Sequence, residues 1–286
     1  MNADVTDRSI VVNSHRLHYL TAGEDGPVLV LLHGGIIDAA HLSWGAAIDA
    51  LAADFRVIAL DLLGYGESEI PDVEYSTALH VDVVEGFLDA IDVGRANVVG
   101  VSLGGGVALG LALQAPQRVE RLVIVDSYGL GSDLPNGDVS YALARLPALN
   151  ELSVSLLRRS RRLARASLGS ILYDPESISE ALVDDFYDHL QRPGVGTAFR
   201  RWRHHEVTRA GYRTIYVDRL DGIEHPVLVL HGAEDELFPV AWARRAADRL
   251  ANAELRVFAE CGHWLPREKP AECNEAVATF LSDRER

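Results

Sequence analysis

The pentapeptide Gly100-Val101-Ser102-Leu103-Gly104 constrains this chain more than any other stretch. An apolar run, Ala96-Asn97-Val98-Val99, precedes it, and a helical pattern from Gly105 to Ala115 follows. A serine at such a strand-to-helix turn is forced into a strained backbone conformation. Glycines flank it because a Cβ there would strike the neighbouring strand or helix. The turn lifts the hydroxyl above a sheet while the first amides of the next helix point at the same spot. That is how a nucleophile is displayed.

Short apolar runs alternate with helical patterns along most of the chain. Ser9–Val12 and Leu17–Thr21, separated by Asn13-Ser14, read as a hairpin. Val28–Leu32 and Val57–Leu60 have the length of buried strands, with a helix expected around Trp44–Ala53 between them. Thr77–Ile91 places Leu79, Val83, Val84, Phe87, Leu88 and Ile91 at helical spacing. Val119–Val125, Val227–Leu230 and Leu255–Phe258 read as further strands, and Pro270–Leu281 as a closing helix with proline in its first turn. Near-continuous apolar strands joined by helices imply a mostly parallel sheet covered on both faces. Ligands of such sheets bind beyond the carboxyl ends of the strands. Ser102, Asp126, Asp235 and His263 each follow a predicted strand, so they are expected at one rim.

The alternation breaks between residues 127 and 222, which are helical in pattern. The expected organisation is therefore a core of residues 1–126 and 223–286, with 127–222 inserted as a helical lid over the active face. The insertion has nearly balanced charge, whereas the whole chain of 286 residues carries a net charge of −15. That balance argues against nucleic acid as a partner, since phosphate binding needs a basic face. Arg158, Arg159, Arg161, Arg162 and Arg165 cluster in the insertion and read as a solvated helix face. Two cysteines, Cys261 and Cys273, make no disulfide framework and suit a reducing compartment. Met1–Arg8 is polar and acidic, unlike a signal peptide, and no apolar stretch approaches the ~20 residues of a membrane span. The expectation is a cytoplasmic protein with a small-molecule substrate and no membrane or nucleic-acid partner. Its oligomeric state is left open, homo-oligomers included.

A serine hydroxyl needs a base to take its proton as it attacks. His263, after the last predicted strand, is the expected base, and His33 and His231 are expected to be structural. The base needs a carboxylate to hold its tautomer. Asp235 is favoured, with Asp126 as its rival. Developing negative charge on the substrate oxygen needs amide donors. Leu103, directly after the serine, supplies one and Gly35 of His33-Gly34-Gly35 the other. Trp264 is expected to line the pocket, and Cys261 to be a small residue of its wall.

The set His33-Gly34-Gly35, Asp61-Leu62-Leu63-Gly64-Tyr65-Gly66-Glu67-Ser68, Gly100-Val101-Ser102-Leu103-Gly104, Gly232-Ala233-Glu234-Asp235 and Gly262-His263 resembles the α/β-hydrolase family over nearly the whole chain. The resemblance implies an eight-stranded sheet, a cap inserted after the sixth strand, and a Ser-His-Asp mechanism without cofactor or metal. Asp61 and Ser68 then read as turn-forming residues. Cys261-Gly262-His263-Trp264, with Asn274, is similar to the carbon–carbon bond hydrolases that cleave meta-ring-fission products. Those enzymes usually carry Asn before the nucleophile, where this chain has Val101, and a lid arginine for the substrate carboxylate, where it has Phe186. The expected activity is accordingly hydrolysis of a carboxylic ester or related acyl bond. Carbon–carbon hydrolysis and cofactor-free haloperoxidase chemistry are the alternatives within the fold. A catalytically silent binding protein is the alternative outside enzymology.

Overall fold

A computed structural model describes residues 4–135 and 137–283. The first three residues of the acidic N-terminal stretch lie outside it. The chain opens with β1 (Thr6–Val12) and β2 (His15–Ala22), followed by β3 (Val28–Leu32), α1 (Ala40–Leu51), β4 (Arg56–Leu60) and α2 (Thr77–Ala90). Next come β5 (Ala96–Val101), α3 (Leu103–Gln114) and β6 (Val119–Val125). Five helices then interrupt the sheet: α4 (Asp138–Ala144), α5 (Pro147–Arg159), α6 (Arg161–Gly169), α7 (Glu180–Leu190) and α8 (Thr197–Glu206). A small hairpin, β7 (Val207–Thr208) and β8 (Gly211–Tyr212), leads back to β9 (Val227–Gly232), α9 (Val240–Arg249), β10 (Ala253–Phe258), α10 (Leu265–Glu268) and α11 (Pro270–Ser282).

The eight strands of the main sheet run in the order β1-β2-β4-β3-β5-β6-β9-β10. β2 pairs antiparallel with β1 and β4, and all other pairs are parallel. Alternation along the strands sends side chains to two separate cores. Leu29, Leu31, Val99, Val123 and Leu228 pack with α1 and α11, through Trp44, Ile48, Val277 and Phe280. Val30, Leu32, Val98, Ile124 and Val229 face α2, α3 and α9, through Val84, Phe87, Leu109 and Ala246. Burying each such side chain contributes about 1.5–3 kcal/mol, which explains why apolar residues dominate the central strands. α1 starts at Ala40, ahead of the stretch its apolar pattern marked. Its first turn packs beneath the loop after β3, so tertiary contact rather than periodicity sets the start.

The chain leaves β3 toward β4 and returns to β5 on the other side, so a crevice opens at the carboxyl ends of β3 and β5. The helices between β6 and β9 roof that crevice. Both ends of the roofing segment belong to the core, where Tyr128, Leu130, Tyr216 and Leu220 are buried. Glu206, at the end of α8, is buried and ties these stems together. Its Oε1 accepts from the Thr77 amide and hydroxyl at 2.9 Å each. Its Oε2 accepts from Tyr128 Oη at 3.1 Å and the Thr214 amide at 3.0 Å. Within the roof, Arg161 and Arg165 of α6 pair with Glu180 and Asp184 of α7, and Arg158 donates to the Leu190 carbonyl. Three of the five clustered arginines therefore join roof helices. Arg159 and Arg162 are the solvated members of the run.

Candidate active site

Ser102 sits between β5 and α3 with φ +52° and ψ −117°, a backbone conformation most residues avoid. Such strain costs of order 1–3 kcal/mol and persists only where the surroundings fix it. Here the Ser102 amide donates to Val125 O, and the Ser102 carbonyl accepts from Gly106 and Tyr128 amides. The flanking glycines are required by space. A Cβ on Gly100 would lie 2.2 Å from Gly104 O, and one on Gly104 would lie 2.4 Å from Leu32 O.

His263 meets this hydroxyl from the loop after β10. Its Nε2 is 2.9 Å from Ser102 Oγ and its Nδ1 is 2.8 Å from Asp235 Oδ2. With Nδ1–H donated to the carboxylate, Nε2 presents its lone pair to the serine hydroxyl. The other oxygen of Asp235 accepts from the Leu237 and Phe238 amides at 2.8 and 3.0 Å, so the carboxylate cannot rotate. Burial disfavours charge on both partners. Mutual attraction outweighs it, holding His263 above its usual range and Asp235 below the carboxylate range. Phe238 stands edge-on to the His263 ring at 5.1 Å. Glu268 accepts from the amides of Gly262, Trp264 and Tyr173, fixing the loop that carries the histidine.

Asp126, the rival acid, does not hydrogen-bond His263. Its oxygens accept from the Gly232 amide at 2.9 Å and the Leu265 amide at 3.2 Å. Burial, reinforced by the nearby Asp235 charge, pushes its carboxyl well above the usual range. His33 and His231 are tied to the scaffold. Leu62 N donates to His33 Nε2 at 3.0 Å, and His231 Nε2 is 2.9 Å from the Phe238 carbonyl. Asp126, His231 and Asp235 place donor atoms within 4.8 Å of one another, the one three-donor group of this kind among the described residues. The oxygens of Asp126 and Asp235 are already engaged by backbone amides and His263.

Gly35 and Leu103 lie side by side near Ser102; a Cβ on Gly35 would be 3.6 Å from Leu103 Cβ. Leu103 opens α3, so its amide is among the first-turn donors that no helical carbonyl can satisfy. Sequence reading missed the group that shapes this loop. Asp38 is buried and accepts from Gly34 N at 2.8 Å, Ala39 N at 2.7 Å and Ser43 Oγ at 2.6 Å. Asp61 and Ser68 hold the neighbouring turn: Asp61 accepts from Ala40 N and Glu67 N, and Ser68 Oγ donates to Asp61 O.

A cavity of about 150 Å³ opens at Ser102, walled by Gly35, Ile37, Val101, Leu168, Phe186 and Trp264 among others. Trp264 is buried there, its Nε1 donating to Ser43 Oγ at 2.9 Å. Asp38 also borders the cavity, and no arginine or lysine does among the described residues. Cys261 does not border it; its side chain packs in the core with α1 and α11, because the loop turns it beneath the sheet rim. Asn274 does not border it either; its Nδ2 donates to the Ala46 carbonyl at 3.4 Å.

The family model described as alpha/beta hydrolase fold matches residues 27–270. The chain belongs to the alpha/beta hydrolase family. It is 32% identical to 2-hydroxymuconate semialdehyde hydrolase of Pseudomonas sp. (strain CF600), covering 99% of this chain and 96% of that protein. It is 29% identical to 2-hydroxy-6-oxo-2,4-heptadienoate hydrolase of Pseudomonas putida, covering 99% and 98%. Among solved structures, 2-hydroxy-6-oxo-6-phenylhexa-2,4-dienoate hydrolase from Rhodococcus sp. strain RHA1 superposes with a TM-score of 0.81 at 26% identity, over 98% of this chain and 99% of that one. This hydrolase thus shares full-length similarity with hydrolases named for 2-hydroxymuconate semialdehyde and for two 2-hydroxy-6-oxo-2,4-dienoates. No described helix is long and apolar enough to cross a membrane.

Proposed function

We propose that this hydrolase cleaves the bond beside a carbonyl carbon, with Ser102 as nucleophile, His263 as general base and acid, and Asp235 orienting the imidazole. The observation that carries the reading is the unbroken hydrogen-bond chain from Asp235 through His263 to Ser102 at the mouth of an apolar cavity. Ser102 Oγ adds to the carbonyl carbon as its proton passes to Nε2 of His263. The oxyanion forms against the amides of Gly35 and Leu103. Collapse expels the leaving group, which takes the bonding electron pair and a proton. Water, deprotonated by His263, then releases the acid from Ser102.

Full-length similarity to the two dienoate and semialdehyde hydrolases supports carbon–carbon cleavage as the reaction. A carbon leaving group becomes feasible once a 2-hydroxy-6-oxo-2,4-dienoate has moved its enol proton to C5, because the resulting 2-oxo group then absorbs the electron pair released at C5 through the C3–C4 double bond. Ester hydrolysis is the second reading. Val101 and Phe186 favour it, because they make the wall beside Ser102 apolar where a charged substrate end would need polar partners. The test compares bleaching of 2-hydroxy-6-oxo-6-phenylhexa-2,4-dienoate with nitrophenolate release from short-chain nitrophenyl esters. Faster dienoate turnover, lost in Ser102→Ala, is expected. Ester turnover alone would replace the first reading with the second. Absence of fluorophosphonate labelling at Ser102 would remove both.

A further inference from the structure

A second, larger cavity of about 480 Å³ lies under the roof helices and shares Ile36, Ile37 and Ser167 with the cavity at Ser102. Phe199 stands at the junction: a Cβ on Gly35 would touch its ring at 3.1 Å, and the ring also lines the second cavity. The walls there are largely apolar, including Val154, Leu157, Trp202 and Tyr212, and carry no acidic residue. They carry one cation, Arg203 of α8.

Arg203 differs from its neighbours on the same helix. Arg200 pairs with Glu151 and Arg201 with Asp72. Arg203 has no carboxylate partner among the described residues; its Nη2 donates to the Leu143 carbonyl at 3.2 Å, and its ring contact is with Phe199. Its Nε is shielded from solvent and has no partner. Burial lowers the guanidinium below its usual range. A half-buried cation without a counter-charge is unfavourable for the free protein, and an incoming carboxylate would relieve that cost.

We propose that Arg203 receives the carboxylate of an anionic substrate in this second chamber, while the uncharged limb occupies the cavity beside Ser102. The orientation follows from where the charge partner lies. Arg203 is the one arginine or lysine in the described walls of either cavity, and the wall beside Ser102 is mainly apolar, so a carboxylate finds its counter-charge at Arg203. Tyr212, whose phenol burial pushes up to about 12, stays protonated in the same wall as a hydrogen-bond donor. A guanidinium matches a carboxylate through parallel N–H donors, which gives direction as well as strength. This assignment rests on Ser102 being the nucleophile.

The test uses two esters of the same chain length, mono-4-nitrophenyl glutarate and 4-nitrophenyl pentanoate, which differ in a terminal carboxylate against a methyl. Losing a charge-assisted contact corresponds to roughly a 10- to 100-fold change. Arg203→Met should lower the ratio of kcat/KM for the glutarate ester over the pentanoate ester by that factor, mainly through KM. Arg203→Lys should recover part of the ratio. An unchanged ratio in Arg203→Met, with both esters still hydrolysed, overturns the proposal. If Arg203→Met does not fold, the Arg203→Lys and Arg203→Gln pair decides, and equal ratios in those two overturn it. Failure of the Ser102 reading is distinct: wild-type protein would hydrolyse neither ester and would resist fluorophosphonate.

Discussion

Asp235 and Asp126 lie close together, but their hydrogen bonds set them apart. Asp235 keeps one oxygen for His263 and fixes the other with two amides. Asp126 spends both oxygens on backbone and is pushed toward its neutral form. Asp235→Asn should therefore lower kcat by about 10⁴-fold, as expected when the imidazole tautomer is lost, whereas Asp126→Asn should cost activity far less. Steady-state rates of the two variants check this, and the reverse order would reassign the acid. The pH dependence has a definite sign. His263 accepts a proton only when neutral, so activity rises as pH passes upward through its pKa. Asp235 favours the imidazolium, so the acid limb of kcat/KM should lie above the ordinary histidine value of about 6.5. In Asp235→Asn the limb should move to lower pH. The serine, histidine and favoured aspartate could be named from sequence because each follows an apolar run. Asp38 and Arg203 could not, since their roles depend on a loop and a roof helix whose placement no local pattern gives.

At the scale of elements, the strand–turn–helix unit from β5 to α3 is fixed by close backbone approach. Gly104→Ala would place a methyl against Leu32 O at 2.4 Å, a backbone contact that cannot yield cheaply. Overpacking of this kind costs about 3 kcal/mol or more where backbone must move. A fall in Tm of roughly 6 °C or more should accompany loss of turnover, read by calorimetry and ester assay. A variant as stable and active as wild type would show that the elbow tolerates a side chain. The central strands were legible because they are buried on both faces and β-branched or leucine-rich. The start of α1 was not, because Ala40 to Ser43 carry no periodic signal and are held by the loop they pack beneath. The β7–β8 hairpin was also hidden, since two-residue strands have no period to detect.

At the scale of the whole molecule, charge and cavity act in opposition. The net charge of −15 repels anions at long range, whereas Arg203 attracts them at short range. Salt screens the first more than the second, because the guanidinium is partly buried. Raising ionic strength should therefore increase kcat/KM for mono-4-nitrophenyl glutarate more than for 4-nitrophenyl pentanoate. A parallel salt series on both esters measures it; a selective decrease for the glutarate ester would mean that local attraction dominates. The break in alternation after β6 coincides with the five helices between β6 and β9, but the depth to which both ends of that segment enter the core was not legible. That depth has a mechanical outcome. Because Glu206 bolts the outgoing strand end, the returning stem and the α2 terminus at one point, the roof has no free axle at its base. Swinging the roof as one body about that base would have to break all four hydrogen bonds that Glu206 accepts.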